Sequence, residues 1–487
     1  MPRGATFLGV ALVSLTLSPG DSLGAPPSGA AATLRRCLAK RAGSRRFATW
    51  GVVVKEQPKG KVLYLHNAGL PFNPASNVKL ITSAAALRLL GPGFRFATEV
   101  FGQLDRRGQV VERGLYLQGC GDPSLTTAHL ARLARALRAR GVVAVRGPLY
   151  VDASYYSGRA DPPGFRRFRS SHPFRAGVGA LSLNQNVVRV AITPGSKRGE
   201  PAHVTVAPAS AYFTVKSRAR TSGWRTRLRV STHQQPNATQ VKVSGRINIG
   251  SGPRVYWRRV FSPALYAGHT FLALLRRAGV RLATPRVALR RVPAGTPRLA
   301  TSLSDELAEI VHMGTKVSSN VVAEHLLLAI GAARFDAPAT FDKGLRALSG
   351  YLKRFGVKPG RVRLENGSGL SRRSRIRPED LMRVLEGIHR DFGARPELTA
   401  ALPLAGVDGT LRRRFKGSRA RGLVRAKTGT LSGVSCLSGW VGGIDGRVVL
   451  FTFMAGRVRR TPAVLWQQTA MAGCLVDYLR TSASSAP

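Results

Sequence analysis

Acidic side chains are scarce in this chain of 487 residues: 24 Asp and Glu stand against 76 Lys and Arg, a formal net charge of +52. Taken bare, that balance points to nucleic acid. Three features argue against such a partner. The basic residues are spread over the whole chain, no nucleic-acid motif accompanies them, and the N-terminus reads as an export signal. An arginine-favouring genome is the plain explanation of the excess. Its functional reading is peripheral association with an anionic envelope surface, wall polymer or phosphate-bearing lipid. Cysteine is also sparse, with only Cys37, Cys120, Cys436 and Cys474. Their spacing fits no zinc pattern, and neither metal nor cofactor is expected. An oxidising compartment would permit one or two disulfides. Cys37 and Cys474 fall on the first and last predicted helices and would pair if the termini pack together.

Long apolar runs are missing. The one sustained run, Phe7 to Leu17, is short for a membrane span and follows Arg3. Small residues come next, at Ser22-Leu23-Gly24 or alternatively at Ala30-Ala31-Ala32. Residues 1–24 therefore read as a secretory leader, and the expectation is an exported, periplasmic protein, soluble or peripherally bound to the membrane. Internal repeats and low-complexity linkers are absent. What remains is 44% hydrophobic, enough for a real core, at a length that suits two or three domains.

Ala31 to Arg45 predicts a helix, and alternating runs at Thr49 to Val54 and Lys61 to His66 predict a hairpin turning at Pro58-Lys59-Gly60. At the far end, Leu423 to Thr428 reads as a strand, Val434 to Val441 and Arg447 to Phe453 as a hairpin, and Pro462 to Leu479 as a helix. One α+β unit built from both ends of the chain follows from this pattern. Residues 94–299 differ. Valine-rich strands are predicted at Val142 to Val151, Val187 to Ile192, His203 to Val206, Arg225 to Ser231 and Thr239 to Ile247, with one clear helix at Thr126 to Arg140. That stretch reads as a mostly β insertion of two small lobes. Helical periodicity returns from Ser302 to Arg390.

Three short motifs carry chemistry. Ser76-Asn77-Val78-Lys79 is an S-x-x-K pair at the start of a predicted helix, which Asn73 would cap and Pro74 would open. Residues three apart share a helix face, so the Lys79 amine can reach the Ser76 hydroxyl. A serine becomes a nucleophile when a base takes its proton, and a lysine can be that base only if its environment holds it neutral. Ser318-Ser319-Asn320 precedes a strong helix, and Lys427-Thr428-Gly429-Thr430 ends a predicted strand. Each motif alone is cheap; three in this order, each in suitable local structure, are not.

On these residues the chain resembles the serine-type D-alanyl-D-alanine carboxypeptidases/endopeptidases of the penicillin-binding protein 4 type, peptidase family S13. Four further segments carry the likeness: Gly119 to Pro123, Ala180 to Asn186, Gly367 to Arg372 (G-S-G-L-S-R) and Leu402 to Leu411 (L-P-x-A-G-x-D-G-T-L). The 242-residue gap from Ser76 to Ser318 leaves room for the insertion that marks the family. Asn366 and Ser319 depart from it, each standing where the family usually has Asp.

The resemblance implies a DD-peptidase/β-lactamase-like transpeptidase fold, an antiparallel sheet flanked by helices, with residues 33–93 and 300–487 forming the catalytic domain. It implies hydrolysis of peptidoglycan stem peptides through an acyl-serine intermediate, with β-lactams as covalent inhibitors. Ser76 would attack, Lys79 would act as base, and Ser318 would pass a proton to the leaving amine. Asn320 would orient Lys79 and bind the substrate amide. Lys427 would keep Lys79 neutral and hold the substrate's anionic group. The N–H groups of Ser76 and Thr430 would form the oxyanion hole. Thr428 and Gly429 would contact substrate, Thr428 at its terminal carboxylate. Arg372, Ser432 and Asp161 would line a side-chain pocket. The alternatives are a non-catalytic peptidoglycan- or β-lactam-binding protein, or a β-lactamase or esterase on the same fold.

Overall fold

The computed structural model describes residues 29–481 except 45, 168, 169 and 444. The expected leader over 1–24 lies outside these residues. The alternative cleavage point at Ala30–Ala32 falls within the first helix, Gly29–Ala42, where Ala31 is buried.

A five-stranded antiparallel sheet organises the two ends of the chain. Its order is Val424–Leu431, Val434–Gly442, Val448–Gly456, Thr49–Gln57, Lys61–His66, so N-terminal strands continue the C-terminal ones. Helices cover both faces, and the three central strands, Val434–Gly442, Val448–Gly456 and Thr49–Gln57, are accordingly buried along most of their length. On one face, Trp50, Val52, Val54, Phe451 and Phe453 pack beneath the terminal helices Gly29–Ala42 and Thr461–Thr481. Cys37 and Cys474 join those helices in a disulfide. On the other face, Val53, Leu450 and Met454 meet a core shared with the helices Val78–Leu90, Leu307–Lys316, Asn320–Phe335 and Pro378–Arg390. The helix Val78–Leu90 is buried from Val78 to Leu87, consistent with its apolar character all round.

Residues 97–303, the stretch that contains most of the expected insertion, carry the remaining sheets. A five-stranded sheet runs in the order Val287–Leu289, Leu149–Asp152, Leu115–Gly119, Ala97–Phe101, Arg298–Leu303, and three smaller sheets accompany it. Buried apolar side chains from Val100 to Leu299 form one continuous cluster. The structure departs from expectation at several places. The strand predicted over Val142 to Val151 is two short strands in different sheets, Ala144–Val145 and Leu149–Asp152. Between them Gly147 lies so close to Arg113 that an added Cβ would sit 1.7 Å from its carbonyl oxygen. The helix Pro263–Arg277 and the strand Phe213–Ser222 had no predicted counterpart.

Candidate active site

Ser76 sits in a single 3₁₀ turn, Ala75–Asn77, that leads into the helix Val78–Leu90. The entry differs from the simple cap expected. Asn73 Oδ1 accepts from Ala75 N at 2.8 Å, and Asn73 Nδ2 donates to Ser371 O at 3.0 Å. Ala75 takes φ +46°, a left-handed conformation unusual for alanine. Asn77, fully buried, donates to Ser438 Oγ at 2.8 Å and so ties the turn to the sheet. The serine is thus held from its own turn, from the 367–372 loop and from a strand.

Lys79 Nζ lies 3.0 Å from Ser76 Oγ, 2.7 Å from Asn320 Oδ1 and 2.8 Å from Ser368 O. Its side chain is 1% exposed, whereas Ser76 is half-buried. The nucleophile therefore faces outward with its base sealed behind it. Burial lowers the Lys79 ammonium to about 7, opposed by the buried Glu324 carboxylate. Desolvation is the main cause. Lys427 is itself fully buried, and burial followed by the Lys79 charge pushes it well below the usual lysine range. It donates to Ser318 Oγ and to Thr428 O, both at 2.8 Å. Ser318 takes φ +59°, a second strained residue at the site.

Asn320 points its Oδ1 at Lys79 and its Nδ2 at Phe174 O, 2.8 Å away in the inserted region. Its amide donor is thus engaged by the insertion. Ser319, one of the two departures from the family pattern, caps the helix Asn320–Phe335 and donates to Gln185 Oε1 at 2.8 Å. Asn366, the other, accepts from Gly369 N and donates to Pro163 O, each at 2.8 Å. An aspartate could make the first bond but, when ionised, not the second.

The K-T-G strand is the sheet's edge. A Cβ on Gly429 would come within 2.9 Å of Pro74 O and 3.1 Å of Ser76 N, so the strand abuts the serine's own backbone. Thr430, next along the strand, is exposed beside it. Thr428 Oγ1 donates to Thr410 Oγ1 at 2.9 Å. Thr410 belongs to the 402–411 segment, which is anchored by Asp408: Oδ1 accepts from Leu404 N at 2.7 Å and Oδ2 from Lys316 Nζ at 2.6 Å.

Arg372 and Asp161 come together in the lining of one cavity of about 640 Å³, with Arg159, Glu365 and Ser371. Asp161 is already engaged there, 2.6 Å from Arg259 and 3.4 Å from Arg175. Ser432 occupies the exposed two-residue turn after the K-T-G strand and is not part of that lining. Sequence reasoning missed Glu324. Fully buried one turn beyond Asn320, it accepts from Gly367 N at 3.0 Å and Ser368 N at 2.9 Å, fixing the loop whose Ser368 carbonyl holds Lys79. The signal available was an acid within the largely apolar run Val321 to Ala332, four residues from Asn320 on the same face.

Residues 32–476 match the model of the D-Ala-D-Ala carboxypeptidase 3 (S13) family. A D-alanyl-D-alanine carboxypeptidase from Actinomadura sp. (strain R39) is 34% identical over 503 residues, covering 98% of this chain and 91% of its own. Among solved structures, penicillin binding protein 4 (dacB) from Haemophilus influenzae superposes with a TM-score of 0.76 at 24% identity, over 90% of this chain and 97% of its own. The same Haemophilus protein complexed with a β-lactam gives 0.72 at 23% identity, over 90% and 98%.

Proposed function

Because the chain belongs to the S13 family of D-Ala-D-Ala carboxypeptidases, we propose that it is an exported serine carboxypeptidase of the penicillin-binding protein 4 kind that trims peptidoglycan stem peptides through an acyl-serine intermediate. The observation that carries this reading is the 3.0 Å contact between a half-buried Ser76 hydroxyl and a fully buried Lys79 amine lowered to about 7.

Ser76 Oγ attacks the carbonyl carbon of the penultimate D-Ala, and its proton passes to Lys79 Nζ. The oxyanion receives the N–H groups of Ser76 and Thr430. Collapse breaks the C–N bond, and the proton held by Lys79 passes through Ser318, itself held by Lys427, to the leaving amine, which leaves Lys79 neutral. Thr428 receives the terminal carboxylate. Water, deprotonated by Lys79, then attacks the ester carbon, and as that intermediate collapses Ser76 Oγ takes the proton back from Lys79, freeing the acid and restoring both groups. If the leaving amine belongs to a neighbouring stem's side chain, the same steps cut a cross-link, which is endopeptidase action. The Arg372–Asp161 cavity is the site proposed for that side chain. β-Lactams acylate Ser76 in this scheme, a reading supported by the Haemophilus relative's β-lactam complex. The catalytic unit is assigned to residues 33–93 and 300–487 and the insertion to 94–299. Export is supported by the apolar leader and by the Cys37–Cys474 disulfide, a bond that persists in oxidising compartments.

Mass spectrometry of a purified cross-linked muropeptide dimer tests the proposal. Loss of one D-Ala, abolished by Ser76→Ala, is the expected result, and conversion to monomers would add endopeptidase action. An unchanged dimer with the unsubstituted protein would overturn the assignment for this substrate.

A further inference from the structure

The sheet formed by Phe213–Ser222, Thr239–Asn248 and Arg227–Gln234 gathers positive charge on one exposed face. Its register sets the residues side by side. Lys216 lies opposite Lys242; Arg218 and Arg229 flank Ser244; Arg220, Arg246 and Arg227 stand in one row across all three strands. All seven cations are exposed. None of the three strands carries an acid, and residues 194–259 hold 13 Lys and Arg against a single acid, Glu200. That carboxylate accepts from Ser196 and Lys197 beyond the strand ends.

Like charges directly opposite on neighbouring strands destabilise a sheet. The Arg220–Arg246–Arg227 row is such a juxtaposition, and none of its members joins an ion pair among the described residues. A general excess of arginine would scatter such residues; here they are stacked in register. The charges form a grid two-dimensional in extent, with about 4.8 Å between strands and about 6.7 Å between successive outward residues. A single polymer strand presents a line of anions, whereas a bilayer presents a plane of them. At the end of the face Trp224 is 78% exposed. Its loop is pinned, since Asn248 Nδ2 donates to both Gly223 O at 3.1 Å and Trp224 O at 3.0 Å, so the indole is held out on a fixed backbone. Tryptophan, with an apolar body and one polar edge, suits the membrane–water interface.

We propose that this sheet face docks the protein onto an anionic lipid bilayer, with the seven cations on phosphate head groups and Trp224 at the interface. The inference goes beyond the hydrolase reading and does not rest on the Ser76 chemistry.

The test is co-sedimentation of the chain from residue 25 onward with vesicles of phosphatidylglycerol in phosphatidylcholine, beside vesicles of phosphatidylcholine alone. Binding to the anionic vesicles only, weakened by salt, is expected. Each neutralised cation should lower partitioning about fivefold, so Arg218→Gln/Arg229→Gln/Lys242→Gln together should lower it roughly a hundredfold. Removing equal charge from the helix Thr127–Ala139, as Arg132→Gln/Arg135→Gln/Arg138→Gln, should leave most binding intact. Hydrolysis of a D-Ala-D-Ala peptide by every variant reports correct folding and reads the catalytic assignment separately. Absence of binding to anionic vesicles, equal loss in both triple variants, or a preference for soluble polyphosphate over vesicles would each overturn the proposal.

Discussion

At the scale of single residues, the account turns on a lysine that must be uncharged to work. Lys79 is fully buried and lowered to about 7, so its neutral, proton-accepting fraction rises as pH rises through that value. Acylation should therefore climb about tenfold per pH unit below 7 and level off above it. Glu324 pulls the other way, because its buried carboxylate favours the charged lysine. Glu324→Gln removes that opposition, so the rising limb should move to lower pH. A pH profile of kcat/KM for the two proteins checks this, and a limb that stays in place would exclude Glu324 as a tuning residue. The motif residues Ser76, Lys79, Ser318, Asn320 and Lys427 were legible because their spacing and order carry the chemistry. Glu324 was not, since nothing in a linear reading shows that the 367–368 backbone N–H groups come to it. Asp161 was legible as a pocket residue, but its pairing with Arg259 and Arg175, one on each oxygen, was not.

At the scale of elements, the site is an assembly of surfaces pressed close by missing side chains. Gly429 lets the K-T-G strand lie against Pro74 and Ser76. Gly369, at φ +79°, lies against Ala75, where an added Cβ would sit 1.9 Å from its carbonyl oxygen. Gly429→Ala should push strand and serine apart by a fraction of an ångström. Acylation should fall about a hundredfold, the usual effect of misplacing reacting groups by an ångström or less. Stability should fall by only about 1–2 kcal/mol, the cost of overpacking. Penicillin acylation rates and a thermal melt, measured together, check both. The same close approach explains what the sequence concealed. In the helix Pro263–Arg277, Gly268 packs where a Cβ would be 2.6 Å from Val151 and Val287, so a residue demanded by helix–sheet packing weakens the helical signal. The strand Phe213–Ser222 was hidden for a different reason. Its outward positions are Lys and Arg, and its register partners, which reveal the shared face, lie in strands 227–234 and 239–248.

At the scale of the whole molecule, both ends of the chain build one sheet, and the disulfide closes that arrangement. Cys37 and Cys474 are 437 residues apart, and they join the first and last helices over a shared core. A crosslink closing so long a loop restricts the unfolded chain strongly, by about 6 kcal/mol in the loop-closure picture. Reduction, or Cys37→Ser/Cys474→Ser, should lower Tm by several degrees while activity at 25 °C persists, because the bond lies on the sheet face opposite the serine helix. Differential scanning calorimetry with and without reductant checks this. That both ends build one α+β unit was legible from the sequence, since strands and a helix recur at each end; the strand order was not, because no local pattern says which strands pair. The cationic sheet face was not, because a linear reading saw the arginines as spread along the chain.

The most direct test of the acyl-serine mechanism is peptide mass spectrometry after brief exposure to benzylpenicillin. One adduct of the drug's mass is expected, on the peptide containing Ser76, absent from Ser76→Ala and sharply slowed in Lys79→Met. An adduct on another residue, or an unmodified Ser76 in a protein that still releases D-Ala, would contradict it.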